Sequence, residues 1–104
     1  IPGTNPEELI AAAHAACFSM ALSHALAEEG FNPVSVKTEA TVSLEKSGDG
    51  FAVTTIELET EAEVPGIDDA TFQQHAETAV LNCPVSKALS SCDIRLSAHL
   101  VYKP

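Results

Sequence analysis

Three cysteines are the residues best suited to chemistry: Cys17, Cys83 and Cys92. A thiolate attacks electrophiles, whereas a thiol buried among apolar groups is inert. Cys17 sits among Ala15, Ala16 and Phe18. It can equally be read there as a small hydrophobe. Nothing close in sequence is cationic except His14, one helical turn earlier. A mid-helix position also gains nothing from the helix dipole. If Cys17 reacts, groups distant in sequence must activate it. Cys83 differs. Asn82-Cys83-Pro84 puts it at the cap of a helix, where free backbone N–H groups stabilise a thiolate. Lys87 adds a cation in the first turns. The plainer reading of Cys83 is a weak cap. Cys92, beside Asp93 at a helix-to-strand junction, reads as structural.

The four histidines are His14, His24, His75 and His99. His14, Cys17 and His24 fall broadly on one helix face. The close Cys and His pairs of zinc sites are missing, so no metal is expected. There is no Gly-rich phosphate loop and no nucleophile motif of a hydrolase.

These residues need elements to position them. Asn5 can cap a helix, Pro6 suits its first position, and Glu7 and Glu8 favour its positive end. The helix runs to Glu29, where Gly30 stops it. Its middle, Ile10 to Leu26, is apolar nearly all round, so more than one side must be covered. Val34–Lys46 and Phe51–Val64 alternate about a Ser47-Gly48-Asp49-Gly50 turn, which predicts a hairpin with one wet face. The alternation slips near Thr55-Ile56, the mark of a bulge. Glu57, Glu59, Glu61 and Glu63 fall on the wet face. Asp68 or Asp69 starts a second helix reaching about Asn82. Pro84 starts a short one through about Ser91. Asp93–Tyr102 alternates as a last strand. The order predicts an α+β fold, a long helix against a mostly antiparallel sheet.

Composition narrows the function. The chain has 104 residues and a net charge of −10, from 15 acids and 5 scattered bases. Nucleic acid requires clustered Lys and Arg, so it is not expected as a partner. No apolar run reaches the ~20 residues of a membrane span, and no signal peptide is recognisable. An odd number of cysteines without regular spacing fits a cytoplasmic protein.

Gly3-Thr4-Asn5-Pro6-Glu7-Glu8-Leu9-Ile10-Ala11-Ala12-Ala13-His14-Ala15-Ala16-Cys17-Phe18 closely resembles the first cysteine motif of the OsmC/Ohr family. Asn82-Cys83-Pro84-Val85-Ser86-Lys87-Ala88-Leu89 resembles the second, with wording nearer the OsmC branch. The resemblance implies one OsmC-like domain over 1–104, an intertwined homodimer with the long helices central. It implies a peroxidase without metal or flavin. Cys17 would attack a hydroperoxide and become a sulfenic acid. Cys83 would close a disulfide with it, and a dithiol, in some relatives a dihydrolipoyl group, would reopen it. The family glutamate falls on Glu7. Its arginine belongs to an N-terminal β-segment that this chain, opening at Ile1 without Met, is expected to lack. Arg95 does not match it. Glu7 lies ten residues before Cys17, about 15 Å along a straight helix, so it is expected to serve the partner's site. A non-enzymatic stress-response binding or structural protein is the alternative, and a thiol-dependent hydrolase a third.

Overall fold

The computed structural model describes residues 5–101. Helix α1 spans Pro6–Glu28, strands β1 and β2 span Ser35–Ser47 and Gly50–Glu63, helices α2 and α3 span Asp69–Asn82 and Pro84–Ala88, and strand β3 spans Asp93–Leu100. The tail of the last predicted strand, Tyr102, lies outside the described residues.

Both ends of α1 follow from local chemistry. The Asn5 side chain accepts a 2.9 Å hydrogen bond from the Glu8 N–H, satisfying an otherwise free helix donor. At the other end Gly30 takes φ 88°. This lets the N–H of Phe31 reach the carbonyl of Leu26 at 2.9 Å and that of Gly30 reach Ala27 at 3.0 Å. Those two bonds define a Schellman stop, and only glycine adopts its left-handed corner at no steric cost.

The hairpin turns on Gly48 and Asp49. Gly48 has φ 60°, and no non-glycine residue has positive φ among those described. That is the type II′ pattern, whose twist matches its strands. Ser43 pairs with Thr55 and Leu44 with Val53. Thr54 is therefore the extra residue of a bulge, one position from the predicted slip. Beyond it Ile56, Leu58, Thr60 and Ala62 turn inward and are buried, while Glu57, Glu59 and Glu61 are exposed.

The sheet order is β1-β2-β3. β1 and β2 are antiparallel, as expected. β3 runs parallel to β2, with Ile56 opposite Ile94 and Leu58 opposite Leu96. This corrects the antiparallel expectation for the last strand. The segment 64–92 carries α2 and α3 back across the sheet, so the chain re-enters at the end where β2 began. A crossover of that length is what parallel neighbours require. Alternation of apolar residues is the same in either direction.

Both long helices pack on one sheet face. Phe18, Leu22 and Leu26 of α1 meet Ile56, Leu58 and Ala62 of β2 and Phe72, Ala76 and Ala79 of α2. Only one face of α1 is used in this way. Leu9 and Met20 remain 53% and 73% exposed, with Ala12, Ala13 and Ala16 exposed between them. The helix has 23 residues and a window of mean hydropathy 1.5, so by length and composition it could cross a bilayer. That corrects the expectation that no segment reaches this threshold: alanines raise the mean without forming an unbroken run of large apolar residues. Its docked face identifies α1 as the core helix of the α+β unit.

Candidate active site

The fold brings Cys17 and Cys83 together. Cys17 projects from the middle of α1 and is half-buried; Cys83 caps α3 and is fully buried. Both are free thiols, near enough that each shifts the pKa of the other. Contact between α1 and α3 therefore closes a gap of 66 positions.

Three hydroxyls hold α1 in register on the sheet. Ser19, two residues past Cys17, donates to Thr38 Oγ1 at 2.6 Å. Thr38 and Thr60 share a bond of 3.0 Å, and Thr60 donates to the Lys37 carbonyl at 3.1 Å. Since Thr60 spends its only proton there, Thr38 must donate to it. The chain of donors runs one way from helix to sheet.

The two thiols sit in unequal surroundings. Burial pushes the Cys17 thiol above its ordinary pKa, and the adjacent Cys83 pushes it further. Burial also penalises a Cys83 thiolate. The Cys17 thiol, the Ser86 N–H and hydroxyl, and the Val85 N–H more than offset this, and the net direction for Cys83 is downward. No α3 amide closes on Sγ with full hydrogen-bond geometry. Those N–H groups act as oriented dipoles at longer range. Because each thiol shifts the other, the first proton to leave belongs to the pair, and the two directions favour the charge on Cys83.

His14 lies one turn before Cys17 and is completely buried. Its Nε2 shares a 2.6 Å hydrogen bond with Ser86 Oγ. Burial holds its pKa below the ordinary histidine value, so it is neutral at pH 7 and is not the cation that Cys17 needs. Ser86 went unnoticed in the sequence. Its signal was its place three residues after a capping Cys83, in the first turn of α3.

The other candidates lie elsewhere. Glu7 is half-buried in the first turn of α1, and its side chain makes no hydrogen bond or ion pair among the described residues. His24 is exposed and pairs with Glu28 at 2.9 Å, so it does not share the buried face of His14. Lys87 is exposed. Arg95 bonds Asp93 at 2.8 Å and approaches Glu57 at 3.9 Å on the outer sheet face. The Cys92 thiol donates to the Val53 carbonyl at 3.4 Å and packs against the core. No group of three or more His, Cys, Asp or Glu among the described residues is arranged to hold a metal ion.

Residues 2–97 match the family described as OsmC-like protein. The chain belongs to the OsmC-like family. Peroxiredoxin OsmC of Escherichia coli (strain K12) is 58% identical over 89 residues, covering 86% of this chain and 62% of that protein. An organic hydroperoxide resistance protein of Xanthomonas axonopodis pv. citri (strain 306) is 36% identical over 87 residues, covering 83% of this chain and 59% of the relative. This OsmC-like chain thus spans less than two thirds of the length of either. The crystal structure of the organic hydroperoxide resistance protein OhrB of Bacillus subtilis superposes with a TM-score of 0.76 at 33% identity, over 97% of this chain and 73% of OhrB.

Proposed function

We propose that this OsmC-like chain is a cysteine-based peroxidase acting on organic hydroperoxides and hydrogen peroxide. The observation that carries the reading is the pair of free, neighbouring thiols of unequal exposure, Cys17 half-open and Cys83 buried. The names of its relatives, a peroxiredoxin and organic hydroperoxide resistance proteins, support the same chemistry. The Cys17 thiolate attacks the terminal peroxide oxygen. The S–O bond forms, the O–O bond breaks, and the departing alkoxide takes a proton to leave as an alcohol. Cys83 then attacks the sulfenic sulfur, forming the disulfide and releasing water. A dithiol, of which a dihydrolipoyl group is one candidate, restores both thiols. The cytoplasm keeps such thiols reduced between turnovers.

Two parts of the reading concern what surrounds Cys17. The described residues bring it no cation, since His14 is neutral, Lys87 is exposed and Arg95 lies on the outer sheet face. The activating arginine then comes from a β-segment outside residues 1–104. The apolar face left open by α1, with Leu9 and Met20 at its ends, is covered by a second copy in an intertwined homodimer. Glu7 orients the Cys17 of that second copy.

Adding cumene hydroperoxide or hydrogen peroxide to the full-length reduced protein tests the chemistry. Peroxide should disappear with a Cys17–Cys83 disulfide as the product, and dihydrolipoamide should sustain turnover. Peroxide left intact by the reduced protein would overturn the reading; ester turnover without dithiol would replace it with a hydrolase. A mixed dimer of one C17S and one E7A subunit tests the role of Glu7. If Glu7 serves the partner's site, one site carries both lesions and the other none, leaving half the activity. Complete loss of activity would place Glu7 within its own subunit's site.

A further inference from the structure

His14, bonded to the Ser86 hydroxyl that bears on Cys83, has no part in the chemistry so far. Three observations define its setting. Ser86 is buried at the third position of α3, in the first turn after the capping Cys83, and its hydroxyl is among the groups that pull the Cys83 pKa down. Its Oγ is 2.6 Å from His14 Nε2. The other ring nitrogen, Nδ1, is buried without a partner among the described residues.

Counting hydrogen bonds fixes the direction. With the proton on Nε2, the imidazole donates to Ser86 Oγ and the Ser86 hydroxyl keeps its own proton to donate onward. Two bonds are then made, and a lone pair on Nδ1 is left over. With the proton on Nδ1, a buried N–H has no acceptor, Ser86 spends its proton on Nε2, and Cys83 loses a donor. A buried donor left without an acceptor is costly, whereas a spare acceptor lone pair is less so, so the first arrangement prevails.

We propose that Ser86 is the hydroxyl donor to the Cys83 sulfur in the disulfide-closing step, with His14 the positioning residue that orients it through Nε2–H. The assignment rests on the peroxidase reading for its consequence in turnover, but not for the hydrogen bond itself. In closure, Cys83 Sγ attacks Cys17 Sγ, the S–S bond forms and the S–O bond breaks. The sulfenic sulfur is reduced, the Cys83 sulfur is oxidised, and the proton once on Cys83 leaves with the hydroxide as water. A donor aimed at Cys83 raises the share of protein ready to make that attack. It also makes Cys83 the better leaving group when a dithiol opens the bond, which directs the reductant to the more accessible Cys17.

The titratable groups that bear on Cys83 are few. α1 supplies Cys17 and, through Ser86, His14. α2 and α3 contribute Glu77 and Lys87 near it in sequence, both exposed.

The test reads Cys83 alone, in full-length protein carrying C17S and C92S, by its thiolate ultraviolet absorbance against pH. No peroxide is involved, so this outcome is independent of whether the protein is a peroxidase. Adding S86A should move the midpoint up by about one pH unit, which corresponds to tenfold in thiolate at neutral pH. S86T, which keeps the hydroxyl, should return it. H14F should shift it in the same direction as S86A, and H14Q, which keeps a donor, should shift it less. In protein with both reactive cysteines, S86A should slow disulfide closure up to tenfold relative to sulfenic acid formation. An unmoved midpoint in S86A, or one equally raised in S86T, would overturn the role of the Ser86 hydroxyl. An unmoved midpoint in H14F would remove His14 from it.

Discussion

On the peroxidase reading, serine in place of Cys17 should abolish peroxide turnover, by at least about 10³-fold, because the nucleophile itself is removed. A serine hydroxyl is not ionised near neutral pH and has no sulfenic acid to form. Serine in place of Cys83 acts differently. It should permit oxidation of Cys17 and stall there, because the buried sulfur proposed to close the disulfide is gone. The division of labour is not obvious from acidity, since Cys83 has the pKa pulled down and Cys17 the one pushed up. Access decides it. Cys83 has no exposed surface, whereas Cys17 is partly open. A hydroperoxide must approach along the line of its O–O bond, and only Cys17 offers that path. The more acidic thiol is then well placed for the second step, where its target is already beside it. A sulfenic-acid trap should label Cys17 in the C83S protein and label nothing in C17S. A label found only in C17S would reverse the assignment.

What the sequence made legible was local. Asn5 with Pro6 and Gly30 with Phe31 fixed the ends of α1, because caps act within a few residues. The period-two alternation and its slip located the hairpin and placed the bulge within one residue of Thr54. The cap position of Cys83 was readable for the same reason, and with it the pull toward a thiolate. What stayed hidden depends on partners far apart in the chain. The direction of β3 is set by how α2 and α3 carry the chain back, and alternation is blind to it. The bond from His14 to Ser86 spans 72 positions, and neither residue forms a motif alone. Even the meeting of Cys17 with Cys83 could be expected only through the resemblance of their two motifs. Nothing in the spacing of 66 residues forces it.

Phe18 and Met20 lie two residues apart on α1, about 200° around the helix from each other. Their substitutions should separate the core from the face assigned to a partner. Phe18 is fully buried at the centre of the apolar cluster. Its replacement by alanine should cost about 3–5 kcal/mol, a large share of the roughly 5–15 kcal/mol that holds a domain together. The urea midpoint of F18A should fall accordingly, or the protein should fail to fold. Met20 is 73% exposed in the single chain. Alone in water, M20A should change stability by no more than about 0.5 kcal/mol. If a second copy covers this face, the same change removes buried surface from an interface. The loss then approaches that of a core methionine, about 2–5 kcal/mol. The unfolding midpoint should also depend on protein concentration, because association adds stability by mass action. An unshifted F18A would refute the packing of α1 on the sheet. M20A with wild-type stability, together with a midpoint independent of concentration, would leave the open face of α1 without a second copy. Since Glu7 and Cys17 share this helix, the same result would remove the route by which Glu7 reaches a thiol.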